Sequence, residues 1–517
     1  MRSSTRTRLL LPLLASVVLG ASACSAGADR AGSAEPLRIV GPFEVHSLDP
    51  ALDGEVFTRL QVSETLVTSD LEGELTAGLA TTWSSSRGDR AWTFTLPRDA
   101  TFHDGTPVTP GAVVAALEKA AQEAASPLAA APIRQIRTAG ASVVVELSRP
   151  YLTLPAVLTH YSTAILAPAS YGADGHVTEV IGTGPYRVTS AELPASIQTT
   201  RFDNWRGEAP AVEDVTFQAV GRPESRALMA VSDQADVVFG LEPAGRERVS
   251  ASDDVQMASS LQPRTILLKV NAGHPVLRDV RVRRALSMAL DREAMAEAVL
   301  REEELAATRL LPPSLAGWQS DGTEELTHDV EQAESLLEEA GWTEGADGIR
   351  VRDGEPLRLT LLTYPDRAEL PALATAIQAA LREVGVELSV TVSNSSEIPS
   401  GQADGSLELA LIAKHFALVS DPLIDVADVF APEGSDWGVM SWSDPAVDRA
   451  VEGLLAGATG AEATRHRETI VDTAQEELPL IPVSWYRMNA AVSDRVEGFR
   501  MDPLETSWRL TDLTWSS

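Results

Sequence analysis

Cysteine is nearly missing: Cys24 stands alone in 517 residues. No disulfide can form within the chain, and no cysteine-based metal site. Basic charge is short as well, with 42 Lys and Arg against 74 Asp and Glu and a formal net charge of −32. A surface of that sign offers no positive field to nucleic acid and repels anionic lipid. Beyond the N-terminal segment, no apolar run reaches the ~20 residues that a helix needs to span a bilayer. There is no short internal repeat. The sequence also lacks G-x-S-x-G, H-E-x-x-H and G-x-x-x-x-G-K, so no nucleophile elbow, zinc-protease helix or phosphate loop is written in it. The eight histidines are scattered, none with a ligand-like partner at close helical spacing, and they read as surface or turn residues. No catalytic residue, metal ligand or cofactor site is expected, and the chain reads as a protein that is not an enzyme.

The N-terminus carries an address. Arg2, Arg6 and Arg8 precede an apolar run from Leu9 to Gly20, and Ala21-Ser22-Ala23 leads into Cys24. This is the charged region, apolar core and small-residue cleavage site of a secretory signal. The run of 12 residues is too short to remain as a membrane span. The expectation is a signal peptide over 1–23 and a small, polar tether over 24–35. Small residues before a cysteine resemble the lipobox of bacterial lipoproteins, although Ala21 stands where that motif prefers Leu. On that resemblance Cys24 carries the lipid, and the lipid is the only contact with the membrane.

The length fits two or three domains, and the apolar share of 44 % suits packed cores. Helix and strand signals alternate. Trp92, Phe94 and Leu96 alternate with threonines, so 91–96 is expected to be a strand. Asp329 is placed to cap a helix with Val330, Ala333, Leu337 and Ala340 on one face, Gln332 at the third position and Gly341 at the end. Asp279 and Asp291 are expected to cap helices over 280–290 and 292–300. Residues 357–392 form the clearest unit: a strand at Leu357, Leu359 and Leu361, a helix from Pro371 ending at Gly385, and a strand at Val386, Leu388, Val390 and Val392. A strand–helix–strand unit implies parallel pairing and an α/β fold.

A longer series of motifs runs through the chain. Ser47-Leu48-Asp49-Pro50 is followed by Glu64-Thr65-Leu66-Val67, Leu79-Ala80-Thr81-Thr82-Trp83, and Trp92-Thr93-Phe94-Thr95-Leu96 leading to Phe102-His103-Asp104-Gly105-Thr106-Pro107. Then come Gly182-Thr183-Gly184-Pro185-Tyr186, Asn204-Trp205-Arg206-Gly207, Asn271, Asp279 with Arg281-Val282-Arg283-Arg284-Ala285-Leu286, Asp291-Arg292, Glu339-Ala340-Gly341-Trp342 and Leu480-Ile481-Pro482-Val483. In this order, over roughly 36–515, they resemble the extracytoplasmic solute-binding proteins of peptide, dipeptide and nickel ABC importers (solute-binding family 5). One departure is Ala112, which stands where that family usually has an Asp at a helix start. Read physically, Gly182, Gly184 and Pro185 suit a backbone that passes close to another segment, and Phe102 to Pro107 is a turn with His103 as a turn residue.

The resemblance implies a two-lobed fold of the periplasmic-binding-protein class II type, with 36–265 plus 490–517 as the first lobe, 266–489 as the second, and an extra subdomain at about 71–181 inserted in the first. It implies a receptor that closes on a peptide or peptide-like solute and delivers it to ABC permease and ATPase subunits. A nickel or metal-chelate receptor and a sensory lipoprotein are the alternatives. It places Asp53, Phe57, Arg264, Phe416, Leu418, Trp485, Tyr486 and Thr506 near the solute. Peptide-binding members hold the α-amine with an Asp four residues before the proline of Asp421-Pro422. Leu418 stands there, so no free amine should be required. The arginines that nickel-type members use are missing from 118–132 and 155–168.

Overall fold

The structure, a computed structural model, describes residues 35–516 apart from 125, 366 and 433. The expected signal peptide, Cys24 and the tether up to residue 34 lie outside the described residues. The rest, Pro36–Ser517, forms a single compact unit.

Its spine is a sheet of ten strands. From one edge to the other they are Glu387–Val392, Arg358–Thr363, Leu409–His415, Val255–Val270, Leu480–Ser493, Val237–Phe239, Leu37–Gly41, Asp214–Ala219, Ser196–Arg201 and Tyr186–Glu192. The two central strands are 16 and 14 residues long and pair antiparallel from Val255↔Ser493 to Lys269↔Leu480. Near its start, Val255–Val270 pairs with the end of Leu480–Ser493 that also pairs with Val237–Phe239, and from Arg264 onward it pairs with Leu409–His415. The register slips between Leu261 and Thr265. Pro263 falls there, with no N–H to give to the ladder.

Residues 357–392 fold as the sequence pattern implies. Arg358–Thr363 and Glu387–Val392 pair parallel, Leu359 opposite Leu388, across the helix Glu369–Glu383. The helix starts two residues before Pro371, because proline is tolerated in a first helical turn. Leu373, Ile377 and Leu381 are fully buried on its inner face, and Gly385 takes φ +81 to end it. Burial fades along the second strand: Leu388 is buried but Val392 is 47 % exposed, since this strand forms the edge of the sheet.

The caps hold too. Asp329 accepts from Gln332 N at 2.8 Å, and Asp279 accepts from Arg281 N at 3.0 Å. The helix expected over 292–300 differs. It is α-helical only for Arg292–Met295, passes into a π turn over Ala296–Leu300, and stops at Arg301 with φ 63.

Residues 82–147 build a separate four-stranded sheet, ordered Thr82–Ser86, Ala91–Thr95, Ser142–Leu147 and Ile133–Ala139. The helix Pro110–Ala120 packs beside it, and Trp92, Phe94, Phe102, Leu117 and Val143 fill its own core. That helix starts without an acid in its first turn, capped instead by the Thr109 hydroxyl. Ile424 and Leu455, distant in sequence, pack against this core from outside.

Candidate functional site

A cleft of about 900 Å³, partly open to solvent, is lined by segments from four parts of the chain: 55–78, 159–161, Pro185 with Trp205, and Leu418 with 504–507. Local chemistry explains how each part is held.

The first segment leaves the strand Leu37–Gly41 and enters a short helix capped by Asp49. A second short helix, Glu55–Arg59, follows, and Gln61 then turns the chain with φ 54. Here the backbone of 182–184 crosses it. A Cβ on Gly182 would overlap the carbonyl of Val62, and one on Gly184 would overlap that of Gln61. Only glycine allows two backbones to approach so closely. His103 braces the same crossing. Its Nδ1 accepts from Gly182 N–H at 3.2 Å, and its Nε2–H donates to Gly184 O at 3.0 Å. Both contacts need the neutral ring, and burial holds its pKa down at about 4.

Asn204-Trp205-Arg206-Gly207 gains a role from the same geometry. Arg206 grips Glu64 through two parallel hydrogen bonds, 2.7 and 2.6 Å. A Cβ on Gly207 would run into the Trp205 ring, so the glycine lets the indole fold across toward the cleft. Tyr161 lines the cleft from below, its ring 4.1 Å from that of the buried His160. Burial, with Glu55 nearby, raises the phenol to about 12, so Tyr161 is a neutral hydroxyl.

Two further loops complete the wall. Asp425 is buried and accepts from Leu418 N at 2.8 Å, which fixes the loop that presents Leu418, 38 % exposed. Asp502 organises the C-terminal loop: it accepts from Leu504 N at 2.9 Å, from Thr506 N and Oγ1 at 2.9 and 2.7 Å, and from Ser507 N at 3.0 Å. Glu505, held between these residues with φ 59, turns its carboxylate inward. Arg59 reaches it at 3.1 Å and Arg264 at 2.9 Å. Burial opposes the charge on Glu505, but Arg264 and Arg59 outweigh it and hold the pKa at about 2.

The residues singled out in the sequence are not brought together as one set. Leu418 and Thr506 line the cleft. Trp485 and Tyr486 line a second cavity of about 1140 Å³, with Phe43 and Arg367. Arg264 is buried behind the cleft, its guanidinium 5.1 Å from the Tyr486 ring. Phe57 and Phe416 are fully buried in two different apolar cores, with no surface turned to a solute. Asp53 is half-buried and accepts a hydrogen bond from His46 N. Sequence reasoning passed over Glu55, Arg59, Tyr161 and Glu505. Glu64 and Trp205 stood inside motifs but were not read as lining. Among the described residues no group of three or more His, Cys, Asp or Glu is placed to hold a metal ion.

A mixed α/β body thus carries, at loops beyond its strands, a cleft with a mixed polar and apolar lining, an arrangement that suits a binding protein. Comparison with known proteins makes this specific: residues 74–425 match the model for bacterial extracellular solute-binding proteins, family 5 middle region, and the chain belongs to that family. It is 25 % identical to the nickel-binding periplasmic protein of Escherichia coli (strain K12), over 97 % of both chains. It is 30 % identical to Protein XP55 of Streptomyces lividans, over 84 % of this chain and 81 % of that one. Among solved structures, NikA from Brucella suis in complex with Fe(III)-EDTA superposes with a TM-score of 0.84 at 25 % identity, covering 93 % of this chain and all of that one. The oligopeptide-binding protein AppA from Bacillus subtilis, in complex with a nonapeptide, gives 0.80 at 18 % identity over 93 % of this chain and 100 % of that chain. The fold is therefore that of the periplasmic binding proteins. The chain is an extracytoplasmic, ABC-type solute-binding protein and not an enzyme.

Proposed function

We propose that this protein captures a peptide or peptide-like small solute in the cleft around Tyr161, Trp205, Leu418 and Thr506 and delivers it to an ABC permease. The observation that carries this reading is the cleft's lining. Ser63 Oγ and Trp205 Nε1 are buried there with no acceptor or donor in the protein. Hydroxyls of Thr58, Thr65, Thr159 and Tyr161 stand beside the apolar Leu418 and Leu504. Hydroxyls set among apolar walls are what the amide and apolar parts of a peptide-like solute would meet.

In this reading, 36–265 with 490–517 and 266–489 are two lobes, with about 71–181 inserted in the first, and the central strands Val255–Val270 and Leu480–Ser493 carry the chain between them. Lipid on Cys24 tethers the protein to the outer face of the membrane. Leu418 offers no carboxylate to an ammonium group, so the clamp on a free α-amine is replaced by neutral contacts.

A metal chelate is the second reading, favoured by the nickel-binding relative that matches along nearly the whole chain. With no cluster of metal ligands among the described residues, such a metal would arrive inside its chelator. Mass spectrometry of the small molecules and metals released from protein purified out of its native host decides between them. Stoichiometric peptide-like molecules support the first reading. A stoichiometric metal with an organic chelator, or no released molecule at all, contradicts it.

A further inference from the structure

The carboxylate of Glu505 is turned inward against two arginines. Arg59 is the one arginine among the residues lining the cleft. Its Nη2 meets Glu505 Oε2 at 3.1 Å, its Nε donates to the Glu505 carbonyl at 2.8 Å, and both terminal nitrogens reach Glu55 at 3.4 Å. Arg264, behind it, meets Oε1 at 2.9 Å through Nη1. That contact is poorly aligned, and Nε and Nη1 of Arg264 have no hydrogen-bond acceptor. Gln262, with its amide nitrogen turned to Oε1, adds a donor at 3.3 Å. His415 Nε2, buried nearby, is also without an acceptor.

This corner is therefore rich in donors; Glu505 supplies a carboxylate to both arginines, and Glu55 one to Arg59 alone. Glu505 is 7 % exposed, and it reaches this position only because its backbone adopts a left-handed conformation, φ 59, held by the hydrogen bonds around Asp502. Facing the open space, the ionisable groups are Glu55, Glu64 and Glu505 with Arg59, and each is already paired; the partner of Glu64, Arg206, stands outside the lining. A solute anion entering here would find no free guanidinium and would face carboxylates.

We infer that Glu505 is a specificity-determining residue, a tethered anion that fills the cationic corner of the cleft and restricts the solute at that end to neutral or positively charged groups. The inference rests on the reading of this cleft as the solute site and adds the charge class of the solute.

Two measurements test it. In the first, Glu505→Ala is melted in acetate and in chloride at equal concentration. Acetate should raise the melting temperature of the variant more than chloride does, while the parent responds to both salts alike. Equal responses in a folded variant overturn the inference. In the second, calorimetry compares Gly-Leu with Gly-Leu amide on the parent and on Glu505→Gln, which keeps the shape of the side chain should the alanine variant fail to fold. The parent should prefer the amide by roughly tenfold or more, and the variant should lose or reverse that preference. A parent that binds both equally overturns the inference and leaves the peptide reading standing. If neither peptide binds while acetate stabilises Glu505→Ala, the peptide reading fails and the tethered anion survives.

Discussion

Among the buried titratable groups, His103, His160 and Asp425 give the protein stability contributions with opposing slopes. Burial holds His103 and His160 at about 4, well below an ordinary imidazole at 6.5. Their neutral rings are part of the fold, so in acid the unfolded chain binds protons that the folded protein refuses. The stability they contribute is complete above 6.5 and is lost as the pH falls toward 4, by roughly 3 kcal/mol each at the acid end. Asp425 works the other way. Burial raises it from 3.8 to about 6, so its cost is complete above 6 and is relieved as the pH falls from 6 to 3.8. The two histidines outweigh it, and denaturant unfolding between pH 7 and 4.5 should show stability falling with pH. His103→Gln, which keeps a donor and an acceptor, should flatten the fall. An unchanged slope in that variant would show that protonation of His103 is not what weakens the crossing at Gly182 to Gly184. Other residues show the limits of the sequence. Phe57 and Phe416 look like cleft aromatics, yet each lies at the back of a wall, and no pattern in the chain tells which face of a short segment meets solvent. Glu505 is one carboxylate among 74 Asp and Glu. Its role comes from a left-handed backbone and from arginines far away in the chain.

At the scale of elements, local rules read well. Asp329, Asp279, Gly341 and Gly385 do in the fold what cap chemistry assigns them, because their partners lie within a few residues. The π turn over 296–300 is not legible in the sequence, since Met295, Ala296, Val299 and Leu300 fit the spacing of an ordinary α-helix as well. The Gly182 to Pro185 motif is intermediate: the sequence called for a close backbone approach, and the structure supplies its partner, Gln61 to Val62. Gly184→Ala forces a methyl against the carbonyl of Gln61, which is main chain and cannot rotate away. Overpacking of this kind costs about 1–3 kcal/mol. Gly111→Ala, in the exposed first turn of the helix Pro110–Ala120 with open space around it, should be neutral or stabilise by about 0.5 kcal/mol. Paired thermal melts check both. Equal melting temperatures for the two variants would mean that the crossing is not tightly held.

The whole molecule was the most legible scale for class and the least for solute. The series of motifs in family order points to the fold, and some of them, such as Phe102 to Pro107 and Gly182 to Pro185, sit at turns and crossings that the fold itself requires. In the proposed reading the solute depends on side chains that converge from residues 59, 161, 205, 418 and 505, and only the folded chain brings these together. The central strands Val255–Val270 and Leu480–Ser493 join the two halves of the sheet, and Ile424 and Leu455 pack against the core of residues 66–181. A receptor of this build changes shape when its solute draws the two proposed lobes together, by its differential affinity for the closed form. Small-angle scattering on solute-stripped protein, before and after saturation with the solute recovered from it, tests this most directly. The radius of gyration should fall on loading. An unchanged radius at saturation would contradict a closing receptor and leave a rigid binding module in its place.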